Sequence, residues 1–250
     1  MQNSAKKPVA IITGASRGVG AATALLLASK GWNVTITCSS TIKEAKEVAK
    51  SCEAYDVEAL AIQADVSDDA DCKNTIDQTF KKWGRIDALI NNAGTTKFAW
   101  DHSNLDLLDA EDFQKVYGVN LIGPFQMIKA SKEFLMKSDN PSITNVSSIA
   151  GIKGIGSSIA YAASKGALNT MTISMARNLG PIRVNAICPG FIDGEWLKVA
   201  LGEDLFNTAK TNLESSVPLK SVATPETIAE SILAFISLNK NATGQLLILD

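Results

Sequence analysis

Pro8-Val9-Ala10-Ile11-Ile12-Thr13-Gly14-Ala15-Ser16-Arg17-Gly18-Val19-Gly20 is the stretch whose reading decides the fold. Residues 8–13 form a short apolar run, the next seven are rich in glycine, and residues 21–30 are rich in Ala and Leu, both strong helix formers. The order is strand, glycine turn, helix. In that context a glycine-rich turn points to a dinucleotide site. Glycine permits the tight turn and lets the backbone approach phosphates, while the helix start offers N–H groups and the positive end of its dipole. The spacing here is Gly-x-x-x-Gly-x-Gly, and taken alone the turn reads equally well as plain loop.

Outward from this stretch, short apolar runs alternate with helical ones. Strands are expected at 33–38, 58–64, 86–90, 142–147, 182–188 and 246–249, and helices at 43–54, 68–83, 110–137, 157–179, 195–213 and 225–238. Thr224 is a good N-cap for the last helix. Alternation of this kind predicts an α/β fold, a doubly wound parallel sheet with helices on both faces. Ligands bind such sheets beyond the carboxyl ends of the strands. The glycine turn, Ser39-Ser40-Thr41, Asp65-Val66 and Asn91-Asn92-Ala93-Gly94 all lie at such ends. No repeat or linker divides residues 1–250, so one domain is expected, with residues 194–213 placed as a lid.

Ser148, Tyr161 and Lys165 carry the candidate chemistry. Tyr161 and Lys165 are four apart, which puts both on one face of the helix. A phenol titrates near pH ~10, and a cation one turn away favours the phenolate and lowers that value. A tyrosine so tuned exchanges a proton with a carbonyl or alcohol oxygen, and Ser148 supplies a second hydroxyl to it. Taken alone, the pair reads as an ordinary solvated helix pair. Asn120 lies mid-helix beside Gly118, Gly123 and Pro124, so the helix is expected to be irregular there. Its amide satisfies a kink, or its amide or a freed carbonyl holds a water in the site.

Composition narrows the classes. The chain has 250 residues, 46% hydrophobic and 20% charged, with a net charge of -2. That is ordinary globular composition with no basic excess for nucleic acid or an anionic membrane. No apolar run reaches membrane-span length, and residues 1–8 lack the apolar segment of a secretion signal. Cys38, Cys52, Cys72 and Cys188 are scattered without metal-ligand spacing, so reduced thiols, a cytoplasmic location and no metal are expected. One histidine, His102, makes a His-based metal site or Ser-His-Asp triad improbable.

From about Val9 to the end, the chain resembles the short-chain dehydrogenase/reductase family. The matching motifs are the 13–20 turn, Asp65-Val66, Asn91-Asn92-Ala93-Gly94, Asn120, Ser148, Tyr161-x-x-x-Lys165 and Pro189-Gly190. The resemblance implies a Rossmann-type sheet, a nicotinamide dinucleotide, and hydride transfer at a carbonyl or alcohol carbon. It implies Tyr161 as general acid and base, Lys165 lowering its pKa and bonding the nicotinamide ribose, Ser148 polarising the carbonyl, and Asn120 holding a relay water. Ser147 remains the alternative to Ser148. Cofactor contacts are implied for Gly14, Ser16, Arg17, Gly18, Val19, Gly20, Ser39, Ser40, Asp65, Val66, Asn92, Ala93, Gly94, Tyr161, Lys165, Pro189, Gly190 and Ile192, with Asp65 on the adenine and Ile192 on the carboxamide. Among reductases the chain most resembles the 3-oxoacyl-acyl-carrier-protein type. Sugar, steroid and other ketone enzymes share these features, and a non-catalytic dinucleotide-binding protein is the reading from another class.

Two departures stand out. Gly194 occupies a position where the family often has Thr or Ser, and the chain ends at Asp250 where relatives commonly continue with a glycine or two. For cofactor choice, NAD enzymes usually place an acid at the end of strand 2. Cys38 stands there, followed by hydroxyls at Ser39, Ser40 and Thr41, with Arg17 able to pair with a 2′-phosphate. NADP(H) is therefore expected over NAD(H). The expected partner is a small carbonyl or alcohol substrate, without nucleic acid or membrane. The resemblance implies a homotetramer or homodimer, with Ala162, Ala163, Gly166 and Ala167 small enough for close helix approach.

Overall fold

The computed structural model describes residues 7–40 and 42–249. Thr41 and Asp250 lie outside the described residues, so the hydroxyl expected of Thr41 is not placed.

Strands β1 (Val9–Ile12), β2 (Asn33–Cys38), β3 (Ala59–Gln63), β4 (Ala88–Asn91), β5 (Ser142–Val146), β6 (Arg183–Pro189) and β7 (Leu246–Leu249) form one sheet in the order β3-β2-β1-β4-β5-β6-β7. Every pairing is parallel. β1, β2, β4, β5 and β6 are buried along their whole length, as strands are when helices cover both faces. Side chains alternate between those faces. Ala10 and Ile12 of β1 and Ile90 of β4 pack with Ala24 and Leu27 of α1 (Gly18–Ser29), Ala45 of α2 (Ile42–Glu53) and Ile228 of α10 (Pro225–Leu233). Ile11, Leu89 and Ile143 face the other way. They meet Ile76 of α3 (Asp69–Trp83) and Met127, Ile128 and Leu135 of α5 (Gly123–Leu135). Fully burying one such side chain stabilises the fold by about 1.5–3 kcal/mol, so a register slip in any central strand would be expensive.

Local signals explain most element ends. Asp68 caps α3 by accepting from the N–H groups of Ala70 and Asp71, and Gly84 closes it at φ 70°. Thr224 and Thr227 cap α10 reciprocally, and that helix ends in a π turn, Ala234–Leu238. The helix expected over 110–137 is two helices, α4 (Ala110–Tyr117) and α5, joined by a π segment, Gly118–Ile122, that holds Asn120. Pro124 has no N–H to donate to the Asn120 carbonyl four residues back, which is the chain's own reason for the irregularity.

Two expectations are corrected. Residues 195–213 do not form one helix. Gly202 adopts φ 76° and separates α8 (Glu195–Leu201) from α9 (Glu203–Ser216), a backbone setting that favours glycine and ends a helix. A short helix not anticipated, α6 (Ala150–Lys153), precedes α7 (Ile159–Asn178). No helix among the described residues is long and apolar enough to cross a membrane.

Candidate active site

The carboxyl ends of β1, β2, β3, β4, β5 and β6 open onto one cleft of about 940 Å³. It lies over the point where strand order reverses between β1 and β4, the usual ligand position in such sheets. All of the expected site residues line it except Gly20 and Asn120, which stand in the layer behind.

The glycine turn is held by the loop after β4. Asn92 donates from Nδ2 to the carbonyls of Thr13 and Gly14, both at 2.9 Å. Thr13 Oγ1 accepts from the N–H groups of Asn92 and Ala93, both at 3.0 Å. Contact this close requires glycine. A Cβ on Gly14 would lie 2.8 Å from Ala93 Cα, and one on Gly20 would lie 2.6 Å from Asn92 Nδ2. Gly18 is different: it has φ +57° with nothing within 4 Å, so its backbone faces open space. No side chain caps the start of α1, and its first-turn N–H groups fit the phosphates of a dinucleotide. Asn92 is thus a strap between loops, with both protons of its amide already used. Asp65 Oδ1 is likewise engaged, accepting from Ser67 N at 2.9 Å and Ser67 Oγ at 2.7 Å.

On the other side of the cleft, Ser158 caps α7 by accepting from Tyr161 N at 3.1 Å. The first turns of α7 then present Tyr161 and Lys165 together, with Lys165 Nζ 5.6 Å from the phenol ring centre. Ser148 Oγ accepts from Ala150 N at 3.1 Å, and its hydroxyl stands close enough to the Tyr161 phenol to draw that group's pKa down. Ser147 points elsewhere: it is 4% exposed and donates to the Lys165 carbonyl at 3.2 Å. Geometry therefore pairs Ser148, not Ser147, with the phenol. Gly151 makes the pairing possible. A Cβ there would lie 2.4 Å from Gly166 N and from the Lys165 carbonyl carbon. α6 consequently rests directly on the α7 backbone, with Ser148 just ahead of it. Gly166, expected to admit a neighbouring subunit, meets the Gly151 carbonyl of its own chain.

Electrostatics differ from the expectation. Burial pushes the Tyr161 phenol up to about 12, with the Ser148 hydroxyl pulling against it. Burial also pulls the Lys165 ammonium down to about 8. Lys165 is 3% exposed and spends one proton on the Val146 carbonyl at 2.8 Å. Spacing correctly put the two on one face, but the loss of water around the phenol, not the cation beside it, decides the direction of its shift.

The Asn120 side chain is fully committed. Oδ1 accepts from Thr95 N at 2.8 Å, while Nδ2 donates to the Thr95 carbonyl at 2.9 Å and Ser164 Oγ at 3.0 Å. Ser164 in turn donates to the Tyr161 carbonyl at 2.7 Å. Both amide protons are therefore used, and Pro124 deprives the Asn120 backbone carbonyl of its usual donor four residues on. Thr13, Gly151 and Ser164 were not among the anticipated residues. Ser164 had a signal, since it lies one turn beyond Tyr161; Thr13 and Gly151 act through contacts that spacing does not reveal.

Residues 8–203 match the sequence profile of the family described as short chain dehydrogenase. The chain belongs to the short-chain dehydrogenase family. It is an oxidoreductase of that type, and the family binds a nicotinamide dinucleotide. A 3-oxoacyl-[acyl-carrier-protein] reductase FabG from Thermotoga maritima is 35% identical over 97% of this chain and 96% of its own. A Streptomyces violaceoruber protein, provisionally named ketoacyl reductase 2 of granaticin polyketide synthase, is 36% identical over 97% and 94%. A crystal structure from Burkholderia xenovorans, provisionally named a short-chain dehydrogenase/reductase, superposes with TM-score 0.89 at 42% identity, covering 98% of this chain and 97% of its own.

Gly151→Ala tests the support under Ser148. Overpacking against backbone costs about 1–3 kcal/mol, and a misplacement near 1 Å costs about 10²-fold in rate. Melting temperature and turnover should both fall, read by thermal denaturation and by the absorbance of the reduced nicotinamide. Wild-type values for both would show that α6 does not position the serine.

Proposed function

We propose that this oxidoreductase reduces a ketone of the 3-oxoacyl kind, with NADP(H) as its dinucleotide. The observation that carries the reading is that the Ser148 hydroxyl stands beside the Tyr161 phenol, with both on the same cleft as the glycine turn. Both hydroxyls donate to the substrate carbonyl oxygen, which polarises the carbon. Tyr161 then gives its proton to that oxygen, and in the reverse direction takes the alcohol proton. A phenol pushed up to about 12 is protonated at neutral pH, the form that reduction requires. Lys165 and the Asn120 carbonyl return a proton through water. The dinucleotide, when bound, supplies or accepts the hydride at the carbonyl carbon.

The residues lining the cleft fit that group. Gly14, Ser16, Gly18 and Val19, with Gly20 behind them, would hold its phosphates, and Asp65, Val66 and the backbone of Asn92, Ala93 and Gly94 its adenosine half. Pro189, Gly190, Ile192 and Lys165 would hold the nicotinamide end. α8 and α9 serve as the lid, with Lys210 of α9 tied to Asp193 at 2.6 Å. A Cβ on Gly194 would have its nearest neighbours at 3.7 Å and 3.8 Å, so the lack of a hydroxyl there reflects no steric limit.

NADP(H) preference rests on Cys38, buried at the end of β2, and on Ser39, Ser40 and Arg17, exposed along the cleft. A specific observation favours the opposite choice: Glu44, Glu47 and Glu195 share a hollow with Arg17, and carboxylates there repel a 2′-phosphate. The reading also includes a homo-oligomer, since Ile122, Phe125 and Ile173 are exposed apolar residues on and beside α5 and α7. Four buried thiols agree with a cytoplasmic setting.

One assay decides the chemistry and the cofactor. Reduction of ethyl acetoacetate is followed with NADPH and with NADH. Tyr161→Phe should lose about 10²–10⁴-fold, and an active Tyr161→Phe protein would sink the mechanism. NADPH should give the higher kcat/KM, and Cys38→Asp should swing preference to NADH. Equal or better use of NADH by the wild type would assign the ribose end to the glutamates instead.

A further inference from the structure

Beside the hydroxyl pair stands a run of aromatic rings that the proton chemistry does not use. Phe98 and Trp100 come from the connection between β4 and α4, and Trp196 comes from α8. Phe98 stacks on Trp100 with ring centres 5.4 Å apart and planes at 27°. Phe98 also meets Trp196 at 5.7 Å, and Trp196 meets the Tyr161 ring at 6.5 Å. The rings thus form a continuous series from solvent to the phenol. They are 39%, 47% and 43% exposed for Phe98, Trp100 and Trp196, which leaves a substantial apolar surface in water.

The series is held in place rather than draped over the surface. Ala99, between the two loop rings, is 5% exposed and donates to the Ser157 carbonyl at 2.7 Å. Thr96 Oγ1 and Ser157 Oγ are 2.7 Å apart, and His102 Nε2 lies 3.1 Å from the Gly156 carbonyl. Ser157 immediately precedes Ser158, the cap of the helix that carries Tyr161. Phe98 and Trp100 are therefore fixed relative to the reacting hydroxyl. Two segments far apart in sequence converge on this wall, and Trp100 and Trp196 both line the cleft.

We propose that Phe98, Trp100 and Trp196 form the specificity-determining surface for substrate, and that they take a rigid fused-ring ketone in preference to a linear acyl chain. The proposal rests only on the carbonyl reduction proposed above, and it puts a fused-ring ketone ahead of an open 3-oxoacyl chain as the preferred substrate. Flat rings offer one another broad faces in offset or tilted contact. A linear chain must order several rotors to cover the same area, whereas a fused ring is ordered beforehand. Trp196, next to the phenol, is the ring that a group flanking the carbonyl meets first.

The test compares 1-tetralone, a bicyclic ketone, with ethyl acetoacetate in the wild type, Trp196→Ala and Trp196→Phe. Wild type should favour 1-tetralone by at least about tenfold in kcat/KM, and Trp196→Ala should lower that ratio by about tenfold. Trp196→Phe, which keeps a ring, should restore most of it. Calorimetry supplies a readout independent of turnover: 1-tetralone should bind Tyr161→Phe about tenfold more tightly than Tyr161→Phe/Trp196→Ala. If neither ketone is reduced, the proposed reduction fails while the calorimetric comparison still decides the wall. A preference for ethyl acetoacetate, an unchanged ratio in Trp196→Ala, or equal affinities would overturn the proposal.

Discussion

The buried Lys165 ammonium is the constraint on which the site depends. It is 3% exposed, bonds the Val146 carbonyl at the end of β5, and faces the Tyr161 ring one turn back. A cation in that position is expensive unless its surroundings are fixed. The structure fixes them from three sides. β5 brings the carbonyl, α7 brings the phenol, and α6 closes over both through the contact of Gly151 with the Lys165 backbone. Gly94 completes the enclosure, since a side chain there would begin 3.7 Å from Lys165 Nζ and 3.6 Å from Asn120 Oδ1.

The same economy of space governs the phosphate side. Gly14 and Gly20 are glycines because the loop after β4 presses on the turn, while Gly18 is glycine because its backbone adopts positive φ in the open. The Thr13–Asn92 strap makes the turn and the β4 loop one unit. The Asn120–Thr95–Ser164 network then ties the continuation of that loop to α7. The two halves of the cleft are connected by hydrogen bonds between buried or half-buried side chains and backbone, and such networks specify one arrangement when fully satisfied.

Legibility in the sequence followed the range of the interactions. β2 begins and ends where its apolar run does, and α3 begins where Asp68 can cap it, because those features are local. The break at Asn120 was readable from Gly118, Gly123 and Pro124 as an irregularity, although not as a π segment. The break at Gly202 was hidden, because the amphipathic pattern continues through it. α6, with four residues, is too short to have a period. Asn92 was readable as a cleft residue, but its use as a strap depends on carbonyls 78 and 79 positions away. Tyr161 and Lys165 were readable as one face of a helix, while their burial, which reverses the expected direction of the phenol, comes from packing by β5, α6 and the β4 loop.

The most direct measurement is the titration of Lys165 itself in the uncomplexed protein. Carbon NMR of labelled lysine Cε, assigned by the signal missing from Lys165→Met, reads the ammonium without reference to substrate or cofactor. An ammonium enclosed as described loses its proton near pH 8, well below the ~10.4 of a solvated lysine. Because the folded value is lowered, the unfolded chain binds the extra proton between these limits, so stability rises with pH across that window. A midpoint close to the solvated value would contradict the enclosure of Lys165 and, with it, the account of how Ser148 and Tyr161 are held together.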